Sequence, residues 1–313
     1  MFRIGEFPFL VKARHRFKGN GSRSACYTVN YFMMESSSRR KFLAAPLLGF
    51  TTSAYARYVE PTWIERTDRE CVLSNLTRPV ALVHLSDFHA SEVVPMSHIE
   101  RAIDMAIDAS PDLICMTGDF ITHRSGFDPA WYTKTLSRLA RKAPTFAVLG
   151  NHDGGSWAGK GGGHQTTTQV RRMLENSGAQ VLINRTAKLT CNGATLQMVG
   201  VGDLWAGEIE PAQAFEHADP ALPTVLLSHN PDSKALLGDY AWDLMLCGHT
   251  HGGQVVVPVV GLNPAPVRDR EYIAGLKPWN GRRIHISRGI GSIRGIRFNC
   301  RPEVTKLHLL PKV

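Results

Sequence analysis

Two histidines, His249 and His251, stand one residue apart between an apolar run and two glycines in the stretch LMLCGHTHGGQ. Four other stretches likewise place carboxylate, amide or imidazole side chains directly after an apolar run: VALVHLSDFHA, DLICMTGDF, TFAVLGNHDGG and LPTVLLSHNPD. Carboxylate oxygens and imidazole nitrogens without thiolates suit Mn²⁺, Fe or Zn²⁺ at a reactive centre, whereas structural zinc more often uses cysteine. The candidate ligands outnumber what one ion can use, so the sequence predicts two divalent metal ions.

The apolar runs before these polar residues are continuous, which is typical of strands buried on both faces. Helical patterns alternate with them over 129–142 and 168–176, and Ser97 to Glu100 has the form of a capping box before another helix. This alternation predicts a largely parallel sheet system with helical cover. Loops after the carboxyl ends of such strands converge on one crevice, so we expect the five polar tips to meet.

The ordered series D-x-H, G-D, G-N-H-D, H and G-H-x-H resembles the calcineurin-like metallophosphoesterase family over about 90–310. The ending SRGIGSIRGIRFNCRPEVTKL is similar to that of the small exported bacterial phosphohydrolases and phosphodiesterases of this family. The resemblance implies an α/β fold, a four-layer αββα sandwich of two mixed sheets flanked by helices, with a dinuclear metal site at the carboxyl ends of the strands. It also implies metal-dependent hydrolysis of a phosphate ester by a hydroxide that bridges two metal ions.

The same resemblance distributes the polar side chains between the two ions. The implied ligands of one ion are Asp87, His89, Asp119 and His251, and those of the other are Asp119, Asn151, His229 and His249. Asp119 would bridge the ions, because a shared carboxylate offsets the repulsion between two dications on the order of 3.5–4 Å apart. Gly252 and Gly253 would allow tight backbone and leave space for substrate.

Two further residues are predicted to take part in catalysis. His152 would not bind metal, since its family counterpart lies near the leaving group as a general acid or an electrostatic donor. Asp153 is predicted to hold the other ring nitrogen of His152 and so fix its tautomer.

Several other polar side chains have two interpretations. Asp203 either supports the metal ligands or caps a helix. His84, His285 and His308 are interpreted as core histidines with satisfied hydrogen bonds. Three arginines could bind a phosphate or head group, or could be solvated or paired with carboxylates: Arg288, Arg294 and Arg297.

The formal charge of +9 is concentrated before residue 57, in a segment with nine of the 36 basic and two of the 27 acidic side chains. The rest of the chain is only +2, so we expect no stable nucleic-acid partner. The RRKFL stretch at 39–43, the apolar stretch at 42–50 and the AYA triplet at 54–56 resemble a twin-arginine export signal with a peptidase site. We therefore predict a leader over 1–56 and one metallophosphoesterase domain over 57–313.

A leader of this type predicts that the twin-arginine export machinery is a partner and that the protein is periplasmic or otherwise extracytoplasmic. The alternative is a leader that is not cleaved and keeps the protein at the membrane. The body would then act as a phosphodiesterase or phosphohydrolase on a phosphate ester, with a cell-envelope or lipid head-group component as one candidate.

Two other functions remain open at this stage. One is hydrolysis of a lipid pyrophosphate in the manner of UDP-2,3-diacylglucosamine pyrophosphatase, although that substrate is made on the cytoplasmic side and an export signal argues against it. The other is a metal-binding scaffold without activity. A scaffold predicts that a ligand or His152 is missing, and none is.

Overall fold

The computed structural model describes residues 51–257 and 263–312. The strands are β1 (Glu65–Leu73), β2 (Val80–Leu85), β3 (Leu113–Thr117), β4 (Thr145–Val148), β5 (Gln180–Val181), β6 (Arg185–Cys191), β7 (Ala194–Gly200), β8 (Thr224–Leu227), β9 (Leu244–Cys247), β10 (Gly275–Trp279), β11 (Arg282–Ile286) and β12 (Glu303–Pro311). The α-helices are α1 (Met96–Asp108), α2 (Pro129–Lys142), α3 (Gly155–Lys160), α4 (Thr168–Asn176) and α5 (Pro211–Phe215). Short helical turns lie at Tyr55–Val59, Glu60–Thr62, Pro231–Ala235, His251–Gly253 and Arg270–Tyr272.

The strands form two mixed sheets of six strands each. The first has the order β1-β12-β2-β3-β4-β5, in which only β12 and β2 run antiparallel. The second has the order β10-β11-β9-β8-β7-β6, in which the two edge pairs are antiparallel and the inner strands parallel. With helices on the outer faces, this arrangement confirms the predicted α/β fold of two mixed sheets flanked by helices.

The apolar runs are continuous because each strand is covered on both sides. Leu82 of β2 packs between the sheets with Leu246 of β9. Its neighbour Val83 points the other way, into a core shared with Ile103 of α1. The outer face of the second sheet forms a third core, which includes Trp242. Because the strands are covered on both faces, polar residues in the loops that follow them, such as Asp87 and His229, are also completely buried.

The helix patterns at 129–142 and 168–176 coincide with α2 and α4. The prediction of a capping box at Ser97 is wrong. Helix α1 begins at Met96 after Pro95, and no side chain caps it. Ser97 therefore lies inside the first turn, where Pro95 in the extended region already provides the change of backbone direction.

The predicted export signal falls largely on residues that lie outside the described ranges, including 39–43 and 42–50. Among the described residues, no helix has the length and apolarity needed to cross a bilayer. The turn at Tyr55–Val59 packs on the domain: Ala56 is 8% exposed, and its carbonyl accepts the backbone N–H of Arg297 at 2.9 Å. The Arg57 side chain donates to the carbonyl of Gly295 at 3.1 Å. The AYA triplet is thus part of the folded structure rather than an extended tail.

Candidate metal centre

The polar tips of five strands meet at one edge of the two sheets, as the alternation of strands and helices predicts. They follow β2 (Asp87, His89), β3 (Asp119), β4 (Asn151, His152), β8 (His229) and β9 (His249, His251). Five of these residues have positive φ angles between 49° and 68°: Asp87, His89, Asp119, His249 and His251. A left-handed backbone costs about 1–3 kcal/mol at a residue other than glycine and is concentrated at functional sites. The backbone at these five residues is therefore strained, and the packing around them must offset this free-energy cost.

The first group consists of Asp87, His89, Asp119 and His251, all of them buried. Their potential ligand atoms lie within 4.8 Å of one another. The Nε2 atoms of His89 and His251 are 3.0 Å apart. Asp119 Oδ2 lies 3.4 Å from His89 Nε2, and Asp87 Oδ1 lies 3.3 Å from His251 Nε2. Four lone-pair donors thus point at one small volume.

The second group shares one member with the first. Asp119, His229 and His249 also place a ligand atom each within 4.8 Å of the others. Asp119 Oδ2 is 3.2 Å from His229 Nε2, and His249 Nδ1 is 3.3 Å from the same nitrogen. Asn151 is 1% exposed, and its Oδ1 has no hydrogen-bond partner among the described residues. The carboxylate of Asp119 therefore faces both groups.

Divalent cations fit these residues on the basis of their hydrogen bonds. His229 Nδ1 lies 2.7 Å from the carbonyl of Thr117, so Nδ1 carries a proton and Nε2 is the nitrogen that faces Asp119. His89 is held in the same way through Nδ1, 3.1 Å from the hydroxyl of Thr122. Nitrogen and carboxylate lone pairs that face each other, beside an unpaired buried amide oxygen, repel unless a proton or a metal cation lies among them. The donor set of oxygen and imidazole nitrogen suits Mn²⁺, Fe or Zn²⁺.

Burial and the close packing of charges shift the pKa values of the site. Burial raises the pKa of Asp87 to about 7 and lowers the pKa values of His89 and His249 to about 3 each. Burial also opposes ionisation of Asp119, but the facing His229 and His152 hold the pKa of Asp119 well below its usual range. Asp119 is therefore ionised and the imidazoles of His89 and His249 are neutral at pH 7, the forms in which each can bind a metal. Burial opposes a charge on His229 as well, but the facing Asp119 carboxylate raises the pKa of His229 well above its ordinary value, so in the absence of a metal ion its Nε2 holds a proton that a metal ion would displace.

The side chains of His152 and Asp153 do not form the hydrogen bond that was predicted between them. The Nδ1 of His152 lies 3.2 Å from the carbonyl of Thr122, which fixes the tautomer and leaves Nε2 for the pocket that His152 lines. The Asp153 carboxylate instead accepts the backbone N–H groups of Asp119 (2.9 Å), Phe120 (2.7 Å) and Gly150 (2.8 Å). The prediction that Asp153 orients His152 is wrong. Asp153 ties the tips of β3 and β4 together and is completely buried.

The three arginines lie in three different environments. Arg297 is 0% exposed, and its guanidinium donates to the carbonyls of Arg288 (2.8 Å), Gly289 (3.2 Å), Gly291 (2.6 Å) and Cys300 (3.1 Å). The expectation that Arg297 is solvated, pairs with a carboxylate or binds a phosphate is therefore wrong. Arg288 pairs with Glu303 and Glu65, and Arg294 lines the pocket described below.

The loop that Arg297 holds reaches the metal site. Gly291 donates its N–H to the carbonyl of Asp87 at 2.7 Å. A Cβ atom on Gly289, whose φ is +75°, would lie 2.7 Å from the Cβ of Asp87 and 3.2 Å from the Nδ1 of His251. Arg297 therefore supports two members of the first group from behind, through a loop. Nothing in the sequence around Arg297 indicates this supporting role, because it is one of several arginines in the same stretch.

Gly252 and Gly253 have positive φ angles of 62° and 87°, as the predicted tight backbone requires, and Gly253 lines the pocket at the site. A Cβ on Gly252 would lie 2.7 Å from Cys300 Sγ, and one on Gly253 would clash with the side chain of Asn263.

Asp203 is 2% exposed and accepts the N–H of Ala206 at 2.8 Å, but it caps a turn at 204–207 and not a helix, so the helix-cap interpretation is wrong. Its Oδ2 has no hydrogen-bond partner among the described residues. The interpretation of His308 as a core histidine is also wrong, since this residue is only partly buried and its Nε2 lies 3.3 Å from Asp68 Oδ1.

A pocket of about 450 Å³ opens beside the two groups and contains His152 in its lining. Trp157 of α3 and Trp205 form part of its wall. The ring of Trp157 lies 4.6 Å from that of His152, and the ring of Trp205 lies 4.2 Å from that of His249. Neither tryptophan was predicted, although Trp157 lies in the glycine-rich stretch that directly follows the GNHD motif.

An Asp/His cluster with a shared carboxylate, at the strand ends of an αββα sandwich, defines a metallophosphoesterase. Comparison with known proteins agrees. Residues 80–253 match the family model described as calcineurin-like phosphoesterase, and the chain belongs to this family.

Three relatives are similar over most of their length. The chain is 42% identical over 277 residues to phosphodiesterase YaeI of Escherichia coli strain K12, covering 87% of this chain and 99% of that protein. It is 29% identical over 289 residues to the uncharacterized metallophosphoesterase YkuE of Bacillus subtilis strain 168, covering 87% and 97%. It is 26% identical over 328 residues to UDP-2,3-diacylglucosamine pyrophosphatase LpxG of Chlamydia trachomatis, covering 88% and 97%. The protein is a metal-dependent hydrolase of phosphoric esters.

Proposed function

We propose that the protein hydrolyses phosphodiesters with two divalent ions drawn from Mn²⁺, Fe and Zn²⁺. One ion is held by Asp87, His89, Asp119 and His251, and the other by Asp119, Asn151, His229 and His249. The observation that carries this proposal is the position of Asp119 Oδ2, 3.4 Å from His89 Nε2 and 3.2 Å from His229 Nε2, where one carboxylate serves both groups. When bound, such ions lower the pKa of a water molecule and neutralise charge on phosphoryl oxygens.

The chain itself contributes orientation and a proton donor. The bonds of His89 to Thr122 and of His229 to Thr117 fix both imidazoles before a substrate arrives. His152 lines the pocket with Nδ1 held by a carbonyl, so Nε2 is the nitrogen that can stabilise or protonate the leaving oxygen. We assign no proton transfer to Asp153, because its carboxylate is occupied by backbone amides.

A phosphodiester is preferred over a lipid pyrophosphate as the substrate class. The similarity to phosphodiesterase YaeI, at 42% identity, supports this choice over the similarity to LpxG, at 26%. The pyrophosphate remains the second candidate because the similarity to LpxG extends over 97% of that protein.

The proposed location is extracytoplasmic, after export by the twin-arginine machinery, with the leader retained at the membrane. The leader-like composition of residues 1–56 supports export. The burial of Ala56 and its bond to Arg297 support retention, since cleavage after Ala56 requires the turn at Tyr55–Val59 to open. Sequencing of the amino terminus of the protein from membrane and periplasmic fractions tests this: a terminus at Arg57 contradicts retention, and a cytosolic protein contradicts export.

Turnover by the purified protein tests the activity. After removal of metals and addition of Mn²⁺, Fe²⁺ or Zn²⁺ separately, we expect hydrolysis of bis-p-nitrophenyl phosphate, weaker hydrolysis of p-nitrophenyl phosphate, and loss of both with chelator. Preference for the monoester contradicts the phosphodiesterase assignment. Absence of turnover with every metal contradicts the proposed function as a whole.

A further inference from the structure

One wall of the active-site pocket is apolar and aliphatic. It consists of Val255, Pro264, Pro266, Ile293 and Ile296 and is called the aliphatic wall below. Ile293 and Ile296 remain 39% and 40% exposed although they adjoin a buried polar centre. Exposed aliphatic side chains that line a catalytic pocket are unfavourable in water unless a ligand covers them.

The loop that carries the two isoleucines is held rigidly. The hydroxyl of Ser292 accepts the N–H of Gly295 at 2.9 Å, and Arg57 donates to the carbonyl of Gly295 at 3.1 Å. Arg297, two residues after Gly295, is completely buried, and its guanidinium donates hydrogen bonds to backbone carbonyls. Exposure of Ile293 and Ile296 is therefore a fixed property of the fold, and the two side chains cannot turn inward without breaking these bonds.

Two of the polar side chains next to the aliphatic wall already have hydrogen bonds within the protein. Gln254 accepts a hydrogen bond from Ser292 through Oε1 at 3.2 Å, and the hydroxyl of Thr250 donates to the carbonyl of Ile273 at 2.7 Å. Recognition of a nucleobase or a sugar needs free donors and acceptors along its edges, whereas an alkyl chain needs only apolar surface. The wall thus fits an alkyl chain better than a nucleoside.

We propose that the aliphatic wall is the subsite for a hydrocarbon chain of the substrate. The preferred substrate is then a phosphodiester in which one ester oxygen carries an alkyl or acyl chain. This inference rests on the proposed function. Arg294, which lies between the two isoleucines and lines the same pocket, is available for a further anionic group of such a molecule.

A series of p-nitrophenyl alkyl phosphates with methyl, butyl, hexyl and octyl chains tests the proposal. In each reaction a water oxygen forms a new bond to phosphorus, the bond to the p-nitrophenyl oxygen breaks, and p-nitrophenol and an alkyl phosphate monoester result. Full burial of a methylene group is worth about fourfold in binding, so a half-open wall predicts roughly twofold higher kcat/KM per added methylene over the first few carbons. The rise should stop once the wall is covered.

Two variants test whether the dependence of kcat/KM on chain length arises from the aliphatic wall. The double variant Ile293→Ser/Ile296→Ser should remove the dependence on chain length while the methyl ester changes less than about twofold. Leu236→Ser, which alters a side chain 55% exposed and outside the pocket lining, should keep the dependence of the parent protein. Thermal unfolding of all three proteins shows whether each is folded.

The outcomes separate the two proposals. No rise with chain length in the parent protein, an unaltered rise in the double variant, or thymidine p-nitrophenyl phosphate turned over faster than the octyl ester would each overturn the aliphatic subsite and leave the phosphodiesterase activity intact. Failure to hydrolyse every ester, the methyl ester included, overturns the proposed function instead.

Discussion

The Nε2 atoms of His89 and His251 lie 3.0 Å apart, although the two residues are separated by 162 positions in the chain. A second histidine pair provides a contrast. His84 and His285 also approach closely, with Nδ1 atoms 2.8 Å apart, but the other nitrogen of His84 is bonded to the hydroxyl of Thr117. That pair closes its own hydrogen bonds inside the core, whereas His89 and His251 turn their nitrogens towards carboxylates, as metal ligands do.

Asp119→Asn should remove metal from both groups. The change takes away the negative charge that both groups share, so we expect loss of bound metal and a fall in turnover of at least about a thousandfold. Metal content by plasma mass spectrometry and hydrolysis of bis-p-nitrophenyl phosphate measure the two effects. Asp104→Asn, which removes only a surface ion pair with Arg138, is the control and should change neither. Full metal content in Asp119→Asn would contradict the shared position.

His152→Ala should lower turnover while metal content stays normal. General acid catalysis is worth roughly 10²–10⁴-fold, and the loss is greatest for poor leaving groups. We therefore expect a larger fall for methyl phenyl phosphate than for methyl p-nitrophenyl phosphate. An equal fall for both esters would indicate an electrostatic donor rather than a general acid, and no fall would rule out both roles. His164→Ala, outside the pocket lining, is the matched control.

Arg297→Met should destabilise the protein strongly without touching the pocket. The variant leaves four carbonyls without the guanidinium, and unsatisfied buried polar groups cost about 1–3 kcal/mol each, so we expect a loss of about 3 kcal/mol or more. Urea unfolding measures this loss. Arg294→Met, at the pocket mouth, should stay within about 0.5 kcal/mol. Comparable stability of the two variants would show that Arg297 does not hold the loop.

Acid should destabilise the fold partly through His84 and His285. Burial lowers the pKa of His285 to about 4 and lowers the pKa of His84 well below its ordinary 6.5. Both are neutral when folded but take up protons when unfolded below pH 6.5, so their contribution to stability is present above that pH and is lost as the pH falls towards 4. The loss from His285 alone is up to about 3 kcal/mol.

Unfolding by urea at pH 7, 5.5 and 4.5 measures this effect. A His84→Gln/His285→Gln variant should be less stable than the parent protein at pH 7 but should lose less stability between pH 7 and pH 4.5. If the free energy of unfolding falls equally with pH in both proteins, the histidine pair is excluded as a source of the acid sensitivity.

Removal of Ala56 should weaken the amino-terminal turn. A chain that starts at Arg57 lacks the carbonyl that accepts the N–H of Arg297, so we expect it to be about 1 kcal/mol less stable than a chain that starts at Thr51. Thermal midpoints of the two chains give the difference. Equal midpoints would show that the segment before Arg57 adds nothing to the fold and would favour a cleaved leader.

The sequence alone determined the fold class and the residues that meet at the strand ends. Continuous apolar runs require strands covered on both faces, and their alternation with helices such as α2 and α4 forces parallel pairing, which places polar residues like Asp119 and His229 at a common edge. These are local periodicities, which remain visible without any knowledge of distant contacts.

Only the tertiary structure decided how the polar groups around that edge are used. Asp153 binds backbone amides rather than His152, and Arg297 is buried rather than exposed, because the partners in both cases are backbone groups, whose positions no side-chain pattern encodes. The aliphatic wall likewise combines Val255 with Ile293 and Ile296 from loops almost forty residues apart. Such contacts follow from how loops pack on a finished core, so they exist only once the whole chain has folded.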